Sequence, residues 1–355
     1  MSQNGHRRVL FHAALPHHFV FFQSVYERLA ADERLAWFWS SNFLGWRLKK
    51  HLFDLFPVKG EKVSSLGSTA RAYDLLLSPI YLKFDVAPRA RRRAQIFHGV
   101  AITNCFLKQE INDYDRFFMI GPYMVRRFAE KGILREDDPR IRMVGMPKLD
   151  RLVDGSLDPA AIKAELGLDP ALPVVLYAPS GTHSSIETQG LEAIRRLGNR
   201  PLHVLVKLHD KSLDFRRARD NWMSRVKEYD GGQVRVVESF DIVPYLAIAD
   251  VLISDFSSAA NEFLLRDKPI IFIETPEKYE INKERWDTEV WGQKVGAVVR
   301  TVEELERAVE DALAQPGHMS DIRRAAAADI FYQPGTATER ATSNIYELLE
   351  LEPRK

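Results

Sequence analysis

Residues 251–272 read VLISDFSSAANEFLLRDKPIIF. An apolar run ends in Asp255, a polar turn carries Ser257 and Ser258, a helical stretch follows, and a second apolar run starts after Pro269. Strand, helix and strand in that order is the repeating unit of a parallel sheet, because parallel neighbours need a crossover between them. Both runs are rich in Val, Ile and Leu without polar alternation, as expected for strands covered by helices on both faces.

The same pattern continues in both directions. In the second half, strands are expected in VVLYAPS (174–180), HVLVKLHD (203–210), VRVVES (234–239), PIIFIE (269–274) and GAVVRT (296–301). In the first half they are expected in RRVLFHA (7–13), RLAWFWS (34–40), AYDLLLS (72–78), AQIFHGVA (94–101) and DRFFMIG (115–121). A helix is expected over 17–31, and another opens at Pro122, since proline suits a first helical turn. The chain has 355 residues, more than one hydrophobic core usually serves, so two domains are expected, 1–155 and 156–355. The last stretch, GTATERATSNIYELLELE, reads as a terminal helix able to pack back across the junction. The fold class is α/β, with two Rossmann-like domains facing across a cleft and ligands at the carboxyl ends of the strands.

Composition narrows the function. Fifty Lys plus Arg balance forty-nine Asp plus Glu for a formal charge of +1, which gives no field for wrapping nucleic acid. A single Cys105 excludes an intrachain disulfide, and the N-terminus lacks the apolar region of a secretory signal, so a reducing cytoplasm is expected. No apolar run approaches the roughly 20 residues of a spanning helix, which leaves peripheral membrane contact as the strongest membrane role available.

Polar residues gather at the expected strand ends. Ser257 and Ser258 open a helix whose free backbone N–H groups suit a phosphate, and they equally suit a plain helix cap. Ser180, Gly181 and Thr182 form a small-residue turn that lets backbone approach an anion. Lys207 and His209 lie two residues apart, on one side of a strand end. A phosphate would explain a cation there, as would pairing of Lys207 with Asp210 or Asp255. His98, followed by Gly99, places an imidazole at a strand end, where it serves either as a general base or as a structural residue. His17 and His18 have no Cys or acid at metal-ligand spacing and suit a helix start. Asp113 and Asp115 suit a solvated turn. The run Arg89, Arg91, Arg92, Arg93 suits an anionic surface or a solvated loop. Residues 37–56, which mix aromatics with Lys49 and Lys50, suit core packing or an interfacial helix.

The segments IFHGVA, VGMPKLDRL, VVLYAPS, VLVKLHD, DVLISDFSSAANEFLLRDKPIIF and GTATERA follow one another in the order and spacing seen in the CDP-glycerol glycerophosphotransferase family, which the chain resembles over most of 95–345. The resemblance implies the GT-B architecture and transfer of glycerol phosphate, or another polyol phosphate, from a CDP-activated donor to a hydroxyl of a polymer or lipid-linked acceptor. The resemblance further implies release of CMP, in the cytoplasm and at the inner face of the cell membrane. His98 then corresponds to the general base. His209, Ser257 and Ser258 fall at the donor diphosphate, with Ser180 and Thr182 beside it, and Glu262 falls at the ribose hydroxyls; Lys207, from its place at the strand end, is expected to bind the same phosphates. Asp210 stands where the family usually has Pro, and Phe256 where it usually has Tyr. No DXD-like cluster sits at a strand end, so no obligatory metal or other cofactor is expected. The competing expectations are a GT-B glycosyltransferase using a CMP- or UDP-sugar for capsule or lipopolysaccharide, and a silent module that binds a nucleotide or partner.

Overall fold

The apolar runs form strands, and every ladder between named strands among the described residues is parallel. In a computed structural model of the chain, which describes residues 5–41, 51–82, 88–100, 107–181, 183–213, 221–282 and 291–353, the first half contains β1 (Arg7–Ala13), β2 (Leu35–Ser41), β3 (Glu61–Ser64), β4 (Ala72–Ser78), β5 (Arg89–Ile96), β6 (Arg116–Met119) and β7 (Ile141–Met143). They line up as β3-β2-β1-β4-β5-β6-β7. The second half contains β8 (Val174–Tyr177), β9 (His203–Val206), β10 (Val234–Val236), β11 (Val251–Ser254), β12 (Ile270–Ile273) and β13 (Ala297–Val299), in the order β10-β9-β8-β11-β12-β13. In each sheet the order runs outward from the first strand, then restarts on its other side. That reversal, between β1 and β4 and again between β8 and β11, is where doubly wound sheets open a crevice for ligand.

Contacts divide the chain into two units. One comprises Met1–Ala101, Cys105–Asp150 and Ile330–Lys355; the other comprises Ile102–Asn104 and Arg151–Asp329. The terminal helix, drawn from sequence at the end of 156–355 as able to pack back across the junction, groups with the first unit. Packing explains the exchange. The helix Ala337–Leu349 buries Ala341, Ile345, Tyr346, Leu348 and Leu349 in the cluster that holds Phe11, Trp37 and Phe53, each large side chain contributing roughly 1.5–3 kcal/mol. The helix has no side-chain cap of its own. The buried Asp150 supplies one, accepting N–H bonds from Gly335 (3.0 Å), Ala337 (3.0 Å) and Thr338 (2.6 Å), and a carboxylate suits the positive end of a helix. Arg340 donates to the carbonyls of Val144 (2.8 Å) and Gln333 (2.7 Å). VGMPKLD and GTATERA, two of the segments that carry the resemblance, thus hold each other together inside the first unit.

Three local expectations change. The helix expected over 17–31 is two shorter ones, Pro16–Val20 and Gln23–Leu29. The arginine run is part of β5, in register with β4 from Ala72↔Arg89 to Ser78↔Gln95, and so is not a loop. Side chains of that run are paired, Arg91 with Glu350 at 2.7 Å and Arg92 with Asp115 at 3.5 Å. β3 and β7 were not expected, because EKVS and IRM are too short and too polar to stand out. Of the aromatic stretch 37–56, Trp37 and Trp39 stack within β2 at 5.4 Å and Phe53 is in the core; residues 42–50 lie outside the described residues.

The second unit has its own core, in which Val175, Val204, Ile253 and Ile271 from four adjacent strands meet Ile194, Leu197, Leu305 and Val309 from covering helices. Its crossover connections carry the polar residues singled out in the sequence.

Candidate active site

In the second unit the carboxyl ends of β8 and β11 flank the sheet's reversal point. β11 ends at Ser254, and the next residue, Asp255, is fully buried. Its Oδ1 accepts the N–H of Ser180 at 2.9 Å, and its Oδ2 accepts the N–H of Ser185 at 2.9 Å and the Ser185 hydroxyl at 3.0 Å. Tyr177 OH shares the Ser185 hydroxyl at 2.8 Å, and Ser254 donates to the carbonyl of Ala178 at 2.7 Å. A carboxylate inside the sheet edge is tolerated because each oxygen is hydrogen-bonded. The result is a fixed small-residue turn after β8.

Ser180 is 4% exposed, and its hydroxyl has no hydrogen-bond partner among the described residues. Thr182 lies outside the described residues. Gly181 accepts a bond from the Ser212 hydroxyl at 3.1 Å, and Ser212 N–H donates to His209 O at 2.8 Å, which ties the turn after β8 to the segment after β9. β9 ends at Val206, so Lys207 and His209 lie just beyond the strand instead of within it. Lys207 is buried and its N–H still bonds Tyr177 O at 3.0 Å, while His209 is half-buried. Ser257 caps the helix Ser258–Phe263, accepting Ala259 N–H at 3.3 Å, so its capping role is real. Ser258 is exposed at the first helical position, and Glu262 on the same helix is 2% exposed.

Sequence reasoning passed over the end of β12. Thr275 and Lys278 follow it, both buried, with Lys278 Nζ 3.9 Å from Asp255 Oδ1 and the Thr275 hydroxyl without a partner among the described residues. His183 Nδ1 lies 3.1 Å from Glu277 Oε1, joining the turn after β8 to the helix Pro276–Asn282. The signal was present as T-P-E-K directly after PIIFIE, a proline helix start with a lysine in its first turn.

In the first unit the reversal lies between β1 and β4, and histidines collect there. β5 ends at Ile96, and His98 stands two residues past it, half-buried, with Nδ1 2.6 Å from the carbonyl oxygen of Pro79 after β4. A carbonyl can only accept, so Nδ1 carries a proton, and Nε2 is the nitrogen that bears the lone pair whenever the ring is neutral. His18, on the helix that follows β1, has its ring centroid 4.4 Å from that of His98, with the planes at 39°. His17 is 6.2 Å from His98 and 4.6 Å from His18. Among the described residues no three His, Cys, Asp or Glu side chains converge as a metal site.

One strand position earlier than the loop, His12 is 3% exposed, with Nδ1 3.2 Å from the Ser40 hydroxyl. Burial lowers its pKa from 6.5 to about 4. The unfolded chain therefore binds a proton that the folded chain refuses as pH falls below 6.5, and stability is lost on acidification through that window. Lowering pH from 7 to 4.5 should cost about 2–3 kcal/mol through this ring. Urea midpoints at the two pH values, compared for wild type and His12→Gln, test the claim; equal pH dependence in both would count against it.

A family model described as CDP-Glycerol:Poly(glycerophosphate) glycerophosphotransferase matches residues 100–347. A teichoic acid glycerol-phosphate primase of Bacillus spizizenii is 25% identical over 163 residues, which is 45% of this chain and 40% of that protein. The matched region thus spans well under half of the primase. Among solved structures, a variant of the wall teichoic acid polymerase TagF soaked with CDPG superposes with a TM-score of 0.68 at 16% identity, covering 98% of this chain and 90% of that one. The S. aureus MnaA–UDP co-structure gives 0.62 at 12% identity, covering 98% of each chain. At these identities the superpositions establish the fold, two parallel-sheet α/β units of the GT-B kind. No helix among the described residues is long and apolar enough to cross a membrane.

Proposed function

The chain belongs to the CDP-glycerol:poly(glycerophosphate) glycerophosphotransferase family, and on that premise we propose that it transfers glycerol phosphate from CDP-glycerol to a hydroxyl of a polymer or lipid-linked acceptor. The second unit, Arg151–Asp329, is the donor side and the first is the acceptor side. The observation that carries the reading is the reversal point of the second sheet, where Asp255 fixes the turn at Ser180 beside the helix start at Ser257 and Ser258. Ser180, Thr182, Lys207, Ser257 and Ser258 hold the diphosphate, His209 neutralises charge on it, and Glu262 takes the ribose hydroxyls.

The chemistry asks for positioning and charge neutralisation more than for covalent help. The acceptor oxygen attacks the phosphorus that bears glycerol. The bond from that phosphorus to the CMP oxygen breaks, and CMP leaves with the electron pair. His98 Nε2 receives the acceptor proton, and the resulting imidazolium keeps its Nδ1–H on Pro79 O, which holds the ring in one tautomer through the cycle. A lipid-linked acceptor places the work at the inner face of the cell membrane through peripheral contact.

Purified protein offered CDP-glycerol, CDP-ribitol, CMP-sugars and UDP-sugars in separate reactions, each with a glycerol-phosphate-primed acceptor, tests this directly. CMP release from CDP-glycerol with elongation of the acceptor is expected. UDP released from a UDP-sugar, with CDP-glycerol left intact, would replace phosphoryl transfer with glycosyl transfer.

A further inference from the structure

We propose that His18 is a positioning residue for His98, a neutral buried ring that fixes where the His98 Nε2 lone pair points. The inference rests on the reading of His98 as the base. The Pro79 carbonyl, 2.6 Å from Nδ1, sets the tautomer of His98 but not the tilt of its ring. The second side-chain torsion of histidine has a broad, two-fold preference, so a defined lone-pair direction needs a surface against the ring face.

His18 supplies that surface, with centroids 4.4 Å apart, closer than His17 at 6.2 Å or Phe21 at 6.3 Å. Its own state is set by the backbone. Ala14 N–H points at His18 Nδ1 from 3.2 Å, and an N–H can only donate, so His18 Nδ1 holds a lone pair and its proton sits on Nε2. A proton added at Nδ1 would break that bond, and the ring is buried, 3% exposed. The two histidines thus have opposite tautomers, each dictated by a different main-chain group. A neutral neighbour also leaves His98 free to accept the substrate proton without facing a like charge. His18 lies on the short helix Pro16–Val20, which Pro16 begins.

Two variants separate the ring from its hydrogen bond. His18→Asn keeps an acceptor for Ala14 N–H and removes the ring; His18→Phe keeps a flat ring and removes the acceptor. With CDP-glycerol as donor, His18→Asn should lower kcat about tenfold to a hundredfold with donor KM within about twofold, the scale on which misplacing a reacting group acts. His18→Phe should stay within about threefold of wild type. In ¹⁵N-histidine-labelled protein, His98 should be the Nδ1–H tautomer in wild type and in His18→Phe; in His18→Asn the ring tilts off the Pro79 carbonyl that selects this tautomer, and a mixture should appear. Equal kcat loss in both variants, or wild-type kcat and an unmixed His98 tautomer in His18→Asn, overturns the proposal. If His98→Ala retains turnover, the base assignment fails separately, and the tautomer measurement still decides whether His18 orders the His98 ring.

Discussion

His98→Ala should lower kcat by about 10²- to 10⁴-fold, the usual contribution of a positioned general base, while leaving the Kd for CDP within about twofold. The two halves of that expectation come from separate parts of the chain. His98 belongs to the first unit, and the residues assigned to the diphosphate belong to the second, Arg151–Asp329. Removing the imidazole's proton-accepting nitrogen therefore deletes a chemical role without deleting an assigned donor contact. The tautomer argument sharpens the claim: with Nδ1–H committed to Pro79 O, only Nε2 can receive a proton. Steady-state CMP release gives kcat, and calorimetric titration with CDP gives Kd. Undiminished turnover would remove His98 from the mechanism; a large rise in Kd with little change in kcat would move it to the donor site.

Much of this arrangement was legible in the chain itself, for a definable reason. Parallel strands buried on both faces are uninterrupted apolar runs, so RRVLFHA and AYDLLLS announced β1 and β4 residue for residue. Edge and near-edge strands are not buried that way, and EKVS of β3, with its only buried residue at Val63, carries no such signal. β5 was hidden differently. Its first half is arginine, and what makes it a strand is the backbone ladder to β4 together with carboxylates from Asp115 and Glu350, partners that are distant in sequence. Candidate site residues could be found because ligands of such sheets sit just past strand ends, a rule that needs no distances. What the rule could not supply was the pairing between ends. Nothing local says that Asp255 reaches across to Ser180 and Ser185, that Pro79 meets His98, or that Lys278 lies beside Asp255. The tie between Asp150 and the start of the last helix is a further long-range case, and it is what moves that helix into the first unit.

Asp255→Ala should be among the most damaging single changes in the second unit, because it withdraws one buried acceptor from three donors at once. Ser180 N–H, Ser185 N–H and the Ser185 hydroxyl, at 2.9, 2.9 and 3.0 Å, would be left facing an apolar methyl group in a place with no access to water, and the carboxylate 3.9 Å from the buried Lys278 would be gone. Breaking one side of a buried charged network costs about 3–5 kcal/mol. Asp255→Asn keeps the shape and one acceptor oxygen but turns the other position into a donor opposed to donors, so a loss of about 2–3 kcal/mol is expected from a single unsatisfied buried pairing. Function should fall with stability in a particular way. Asp255 accepts the Ser180 N–H directly, so the Asn variant, at a temperature where it remains folded, should bind CDP more weakly by about tenfold, as losing one well-placed contact of about 1.4 kcal/mol does. Urea unfolding followed by circular dichroism, and CDP titration below the transition, measure the two effects. An Asp255→Asn protein with a wild-type urea midpoint and a wild-type Kd for CDP would show that the turn after β8 keeps its shape without the carboxylate, and the diphosphate site would then have to be built from other groups.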